Sequence, residues 1–171
     1  DCFVNLLKNF QGLLVLDADA INRLSKTPKG WKWLNARQGP TWLTPHIAEF
    51  NRLFPFIDCS YPLKAGLEAA KISSSSVLLK CAHSVISDPE GKTWQIGEVN
   101  SSVARAGLGD VLAGFVSGMG GLALATSEGL DTELLAASTL MHASAGAFCS
   151  KGSTASSICT FLGELIKKEM S

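Results

Sequence analysis

The feature that most constrains this chain is a set of short strand-like runs separated by helix signals. Leu13-Leu14-Val15-Leu16 is wholly apolar and follows Gly12. A run this short and this apolar predicts a strand buried on both faces, as in a parallel sheet. Thr41-Trp42-Leu43, Val77-Leu78-Leu79-Lys80 and Ser84-Val85-Ile86-Ser87 predict further strands. Asp88 to Lys92 is a turn, and Thr93-Trp94-Gln95-Ile96 completes a hairpin with the strand before it.

Helices are expected between and after these strands. Asp17-Ala18-Asp19-Ala20 with Ile21, Asn22 and Leu24 starts a short one. Thr44-Pro45 reads as a helix start, with Thr44 as the cap and Pro45 at the first helical position. That helix carries His46, Glu49, Phe50 and Leu53 until Pro55 stops it. Pro62 to Ile72 has helical spacing, and the serines at 73–76 form a loop. Trp31 to Gln38 is either a surface segment or a short helix. Asp131 opens a long helix through Phe148, and Ala155 to Lys168 forms the last. Strands alternating with helices, then a hairpin near residues 77–97, then three helices, indicate one α/β domain over residues 1–171.

Composition narrows the function classes. The chain is 46% hydrophobic and 18% charged, which fits a packed globular domain and excludes disorder. Fifteen basic residues balance fifteen acidic ones. There is no broad basic field to bind nucleic acid or an anionic membrane. Five cysteines, with no C-x-x-C pair, read as free thiols in a reducing compartment, so a cytoplasmic location is expected. No charged-then-apolar leader is visible. The uncharged stretch Val111 to Ser127 is crowded with glycine and reads as a buried helix plus a turn, not a membrane span. Residues 1–12 read as the end of a helix running into a strand, so the chain is expected to begin inside a fold.

Three segments carry chemistry. The strongest is Ala106-Gly107-Leu108-Gly109-Asp110, followed by the apolar run Val111-Leu112-Ala113. Two glycines at i and i+2 let the backbone turn tightly and approach a ligand. The helix that follows presents unpaired N–H groups and a positive dipole end. Ala106, Gly107, Leu108 and Gly109 therefore form a candidate anion hole for a transferring phosphoryl group, with Asp110 as a candidate base. A plain helix cap explains the same five residues equally well. The segment is not a P-loop, because no Gly-Lys-Ser/Thr follows. In the second segment, His46 and Glu49 share a helical face; His46 is placed to donate to a ligand and Glu49 to hold magnesium through water. In the third, Lys80-Cys81-Ala82-His83-Ser84 joins two strands and offers N–H groups and a cation to a nucleotide. A structural histidine and a plain hairpin loop are the ordinary readings of these two.

The order and spacing of four stretches resemble the ADP-dependent NAD(P)H-hydrate dehydratase family, the YjeF C-terminal-like branch of the ribokinase-like fold. They are Leu14 to Asn22, Leu43 to Leu53, Val77 to Ile86 and Ala104 to Gly114, with a weaker match around His142 and at Thr154-Ala155-Ser156. The resemblance implies a three-layer αβα architecture around a mostly parallel sheet, lacking its N-terminal part. It implies that His46 and Asp110 contact the hydrated nicotinamide, NADHX or NADPHX, and that Asp110 is the catalytic base. Lys80, Cys81, Ala82, His83, Ser84 and Gly109 would hold ADP or ATP, and Mg2+ would accompany it, with Glu49 as an indirect ligand. The activity implied is phosphorylation of the hydrate's hydroxyl followed by loss of phosphate. A homo-oligomer is expected, together with a fused or partner epimerase. A vitamin-precursor or sugar kinase of the same fold, or an inactive nucleotide-binding fragment, is the alternative. The family commonly has His-Pro-Gly-Glu where this chain has His46-Ile47-Ala48-Glu49, and Lys-Gly-Ala where it has Lys80-Cys81-Ala82. It usually has two glycines and Thr or Ser where this chain has Ala106-Gly107-Leu108.

Overall fold

A computed structural model describes residues 2–97, 106–126, 129–149 and 153–169, with the side chains of 2–4 and 169 left out. Val103, Ala104 and Arg105 of the glycine-rich stretch, and Ser127 at the end of the long uncharged run, lie outside the described residues.

The expected strands form one five-stranded sheet in sequential order. β1 (Leu14–Leu16) pairs in parallel with β2 (Thr41–Leu43), placing Leu14 opposite Thr41 and Leu16 opposite Leu43. β2 pairs in parallel with β3 (Ser76–Leu79). From there the sheet turns antiparallel: β3 pairs with β4 (Val85–Ser87), and β4 with β5 (Thr93–Gln95). The sheet is thus mixed. The connections decide this: long helical crossovers join β1 to β2 and β2 to β3, whereas β3, β4 and β5 follow one another through short turns. At the β4–β5 turn, the carboxylate of Asp88 accepts from the N–H groups of Gly91 and Lys92, both at 2.7 Å.

Helices cover both faces. On one side lie α2 (Ala18–Ser25), a 3-10 helix at Gly30–Ala36, α3 (Ile47–Leu53) and α4 (Pro62–Ser73). Their core gathers Ile21, Trp33, Leu34, Phe50, Phe54 and Ala69 against Leu16, Leu43, Val77 and Leu79. The undecided segment at 31–38 is therefore a short helix, held by the buried Trp33 and Leu34. On the other side lie α5 (Leu108–Thr126) and α6 (Thr132–Phe148). Leu112, Val116, Leu135 and Ala136 pack there against Trp42, Leu78 and Ile86. Alternate residues of β2 and β3 thus feed opposite cores, the period-2 geometry of a strand buried on both faces. α7 (Ser157–Glu169) packs on α6 through a smaller cluster of Ala145, Cys149, Ile158 and Leu162. α1 (Cys2–Asn9) precedes β1, and Arg37 ties that entry down by donating to the carbonyls of Leu7 and Gly12.

The run from Val111 does not break into a helix and a turn. α5 is one continuous helix of 19 residues, long and apolar enough by length and composition to cross a membrane. Here it lies along the sheet, and only Leu112, Val116, Gly120 and Ala123 of it are buried. Gly120 is the closest approach: a Cβ there would meet the Trp42 ring at 3.1 Å and collide with Leu13. Of the glycines that make the stretch look like a turn, Gly120 lets the helix sit down on Leu13 and Trp42.

Candidate active site

The carboxyl ends of β1, β2 and β3 point toward the N-terminus of α5, the region where open α/β sheets collect ligands. β1 runs directly into Asp17, and β3 into Lys80. Lys80 Nζ donates to Asp17 Oδ1 at 2.6 Å, a pair mostly shielded from water. Gly109 stands against it: a Cβ at that position would lie 3.7 Å from Lys80 Nζ and 3.9 Å from Asp17 Oδ2. A cation, a carboxylate and a bare stretch of helical backbone thus converge on one spot. The sequence-based reading placed Lys80 and Gly109 at a nucleotide but missed Asp17 as their partner. The pair spans 63 residues, and no local spacing signals it.

The turn into α5 follows the glycine pattern. Gly107 has φ +88°, a left-handed conformation that a side chain resists. Its carbonyl accepts from the N–H of Val111 at 3.1 Å, so the helix is already closing there. Leu108 opens α5, and Asp110 lies in its first turn with its side chain in solvent. The first N–H groups of a helix have no intrahelical acceptor, so α5 offers them at this end. Ala106 and Gly107 are exposed.

His46 and Glu49 are joined more closely than a shared face requires. Thr44 is not the cap of α3; it is buried, with its N–H donating to the carbonyl of Leu16 at 3.0 Å. The cap is His46. Its Nδ1 accepts from the N–H groups of Ala48 at 3.0 Å and Glu49 at 3.4 Å. Glu49 Oε2 accepts from the His46 N–H at 2.9 Å, and Oε1 lies 3.2 Å from His46 Nε2. This is a capping box with histidine in place of Ser or Thr. Both carboxylate oxygens of Glu49 are thus engaged with His46, and the side chain is buried. His46 is also bridged to Lys80: the Lys80 N–H donates to the carbonyl of Pro45 at 2.8 Å. The histidine, half exposed, therefore sits beside the Lys80–Asp17 pair.

The turn after Lys80 holds Cys81, Ala82 and His83, with Ala82 and His83 exposed. Cys81 Sγ lies 3.1 Å from the His83 carbonyl, and Ser84 Oγ donates to the Cys81 carbonyl at 3.4 Å. Burial pushes the Cys81 thiol up, against a weaker downward pull from a backbone hydrogen bond with His83. The neutral thiol adds no negative charge next to Lys80.

Behind Gly109 lies a cavity of about 170 Å3, lined by Lys80, Ser84, Ile96, Leu108, Gly109, Leu112, Thr139, His142 and Ala143. It joins three of the predicted nucleotide residues to α6, which the sequence-based reading had not connected to them by role. Burial pushes the His142 imidazole below its ordinary value, while the Leu108 carbonyl opposes this, so the ring is neutral at pH 7.

The model of the NAD(P)H-hydrate dehydratase family matches residues 2–168. The chain belongs to that family. Among curated proteins it is 43% identical over 142 residues to the bifunctional NAD(P)H-hydrate repair enzyme Nnr of Synechocystis, covering 82% of this chain and 26% of that protein. It is 38% identical over 143 residues to the same enzyme of Gloeobacter violaceus, covering 84% and 27%. The chain thus spans about a quarter of the length of the curated relatives it matches. A solved ADP/ATP-dependent NAD(P)H-hydrate dehydratase from Bacillus subtilis, crystallised with ATP and Mg2+, superposes with a TM-score of 0.74 at 24% identity. That likeness covers 96% of this chain and 59% of the other. A ribokinase-like superfamily protein from Enterococcus faecalis superposes with a TM-score of 0.67 at 20% identity, covering 98% and 66%. These two likenesses establish the ribokinase-like fold of this family member.

Proposed function

We propose that the protein dehydrates NAD(P)H hydrate at the expense of ADP or ATP, returning a damaged nicotinamide cofactor to use. The observation that carries this reading is the convergence of Lys80, Asp17 and Gly109 at the N-terminus of α5, in a chain of this family. A hydroxyl is a poor leaving group in water; as a phosphate ester it leaves readily. The enzyme's task is to place the terminal phosphoryl group of the nucleotide against that hydroxyl and stabilise its charge in flight. The backbone N–H groups at Ala106, Gly107, Leu108 and Gly109 are the proposed anion hole, aided by the α5 dipole. Lys80, with Cys81, Ala82, His83, Ser84 and Gly109, holds the nucleotide. Asp110, in solvent beside the hole, takes the proton of the substrate hydroxyl as the phosphoryl group transfers. His46 contacts the hydrated nicotinamide together with Asp110.

Magnesium fits this arrangement as a companion of the phosphates. Such an ion is commonly held by one or two carboxylates and phosphate oxygens. Asp110 is the exposed carboxylate at that end of α5, and the ion would neutralise phosphate charge there. Glu49 serves as an indirect ligand, through water. A homo-oligomer, a cytoplasmic location and an epimerase, fused or as a partner, complete the proposal. The description of the curated relatives as bifunctional accords with a second activity outside the matched quarter.

The reading is tested by supplying NADPH hydrate, ADP and Mg2+ and following absorbance at the dihydronicotinamide band. Absorbance should recover with the wild-type protein. Asp110→Asn should slow recovery at least ~100-fold, the lower range of general base catalysis, and change ADP affinity less than about threefold. Recovery by Asp110→Asn at the wild-type rate would remove Asp110 as the base.

A further inference from the structure

We infer that Asp17 is a positioning residue for the phosphoryl transfer: its carboxylate aims Lys80 Nζ at the first turn of α5. This rests on the proposal that Lys80 and Gly109 hold a nucleotide there; Asp17 decides how the lysine is used. The backbone of Lys80 is already fixed, since its N–H donates to the Pro45 carbonyl at 2.8 Å. Its side chain is a flexible four-carbon stem and needs its own anchor. Asp17 Oδ1 accepts from Nζ at 2.6 Å, and both side chains are largely shielded from water. Asp17 Oδ2 and Lys80 Nζ both stand against Gly109, 3.9 and 3.7 Å from where a Cβ would lie. A carboxylate alone at this spot would repel phosphate. Paired with the lysine, it instead fixes where the positive charge sits.

The chain gives up local stability to hold Asp17 this way. Asp17 is the N-cap of α2, where an aspartate carboxylate ordinarily accepts from the N–H groups of the first turn. Here the carboxylate makes no such bond. The next residue, Ala18, has φ +43°, in the left-handed region that alanine avoids. Among the described residues only Ser74 shares this conformation without being glycine. Ser74 sits just past the end of α4, where helices commonly finish left-handed. Ala18 begins a helix, and no such rule covers it. A forgone cap and a strained residue thus stand side by side at the carboxyl end of β1, and the carboxylate they carry meets a lysine 63 residues away. Strain of this kind persists where a site needs a group held in one place. A held lysine offers preorganised charge to the transition state, whereas a released one follows the phosphates of bound ADP. Losing Asp17 therefore favours ADP binding and opposes transfer.

The test measures NADPH recovery from NADPH hydrate with ADP and Mg2+, and ADP affinity by calorimetry. Asp17→Ala should lower kcat at least ~10-fold and tighten ADP binding about threefold. A residue that only braces the fold would weaken both. Asp17→Asn, whose amide oxygen still accepts from Nζ, should recover part of kcat. Lys80→Ala should itself lower kcat. Adding Asp17→Ala to it should change kcat less than about twofold further, because Asp17 acts through Lys80. Should the Asp17 variants fail to fold, Lys80→Arg answers the question. It keeps the charge but moves the donors, and should lose kcat at least ~10-fold with ADP still bound. Wild-type kcat in Asp17→Ala or in Lys80→Arg would overturn the inference, as would additive losses in the double variant or weaker ADP binding in Asp17→Ala. Each of these outcomes leaves the reaction itself standing. No NADPH recovery by wild-type protein would remove the reaction, and this inference with it.

Discussion

Replacing Gly120 with alanine tests how α5 is seated, and so how the N-terminal end that carries Gly109 is aimed. In an exposed helix the change from glycine to alanine stabilises by about 1 kcal/mol. Gly118, two residues earlier in α5, has open space where its Cβ would go, and should show that gain in full. At Gly120 the added methyl meets Cη2 and Cζ3 of Trp42 at 3.1 Å and collides with Cδ2 of Leu13. The leucine end can swing away. Trp42 is 1% exposed, between β1 and β3, and cannot. Overpacking of this kind costs about 1–3 kcal/mol. Subtracting the helix gain leaves Gly120→Ala about 1 kcal/mol less stable than wild type, and about 2 kcal/mol below Gly118→Ala. At this chain length that gap is about 4–8 °C in Tm. Thermal unfolding of the two variants by circular dichroism, at one protein concentration, measures it directly. If Gly120→Ala stabilises as much as Gly118→Ala, α5 does not rest on Trp42 as described, and the position of the anion hole loses its support.

The capping box gives a second expectation: Glu49→Ala should destabilise by about 1–2 kcal/mol in chemical denaturation, while Glu49→Gln, which still accepts from the His46 N–H, should lose about half as much. The neutral His142 makes stability depend on pH. Its folded-state pKa is depressed, so as pH falls through the ordinary histidine range the unfolded chain takes up a proton that the folded chain refuses. Stability from this group is fully present above about pH 6.5 and falls below it, by at most ~1.4 kcal/mol per pH unit. Denaturation midpoints at pH 7 and pH 5.5 should differ more for wild type than for His142→Gln; equal differences would show that His142 does not titrate this way.

Most of the framework was legible because it is local. The apolar strand runs, the Pro55 stop, the Asp131 cap and the Asp88 turn are each set by residues within a few positions, and each lies where the pattern places it. The cap of α3 moved from Thr44 to His46 because Thr44 is needed to bond across to Leu16, a contact 28 residues away. Glycines suggested a turn after Val111, but tertiary packing on Trp42 and Leu13 claims Gly120 for a close helix–sheet approach. The same limit applies at the site. Gly107 and Gly109 announce a special backbone in the sequence, whereas the Asp17–Lys80 pair and the His142 cavity exist only once β1, β3 and α6 are brought together.

The proposed reaction makes a stoichiometric demand that neither a kinase nor an ATPase shares. With NADPH hydrate and ADP supplied together, each NADPH recovered should be matched by one ADP converted to AMP and one inorganic phosphate released, and none of the three should change when either substrate is withheld. The direct measurement is 31P NMR of the phosphate species alongside dihydronicotinamide absorbance in the same sample. The account predicts a ratio of one to one to one. NADPH recovered without loss of ADP, or nucleotide consumed with a stable phosphorylated product and no NADPH, would contradict it.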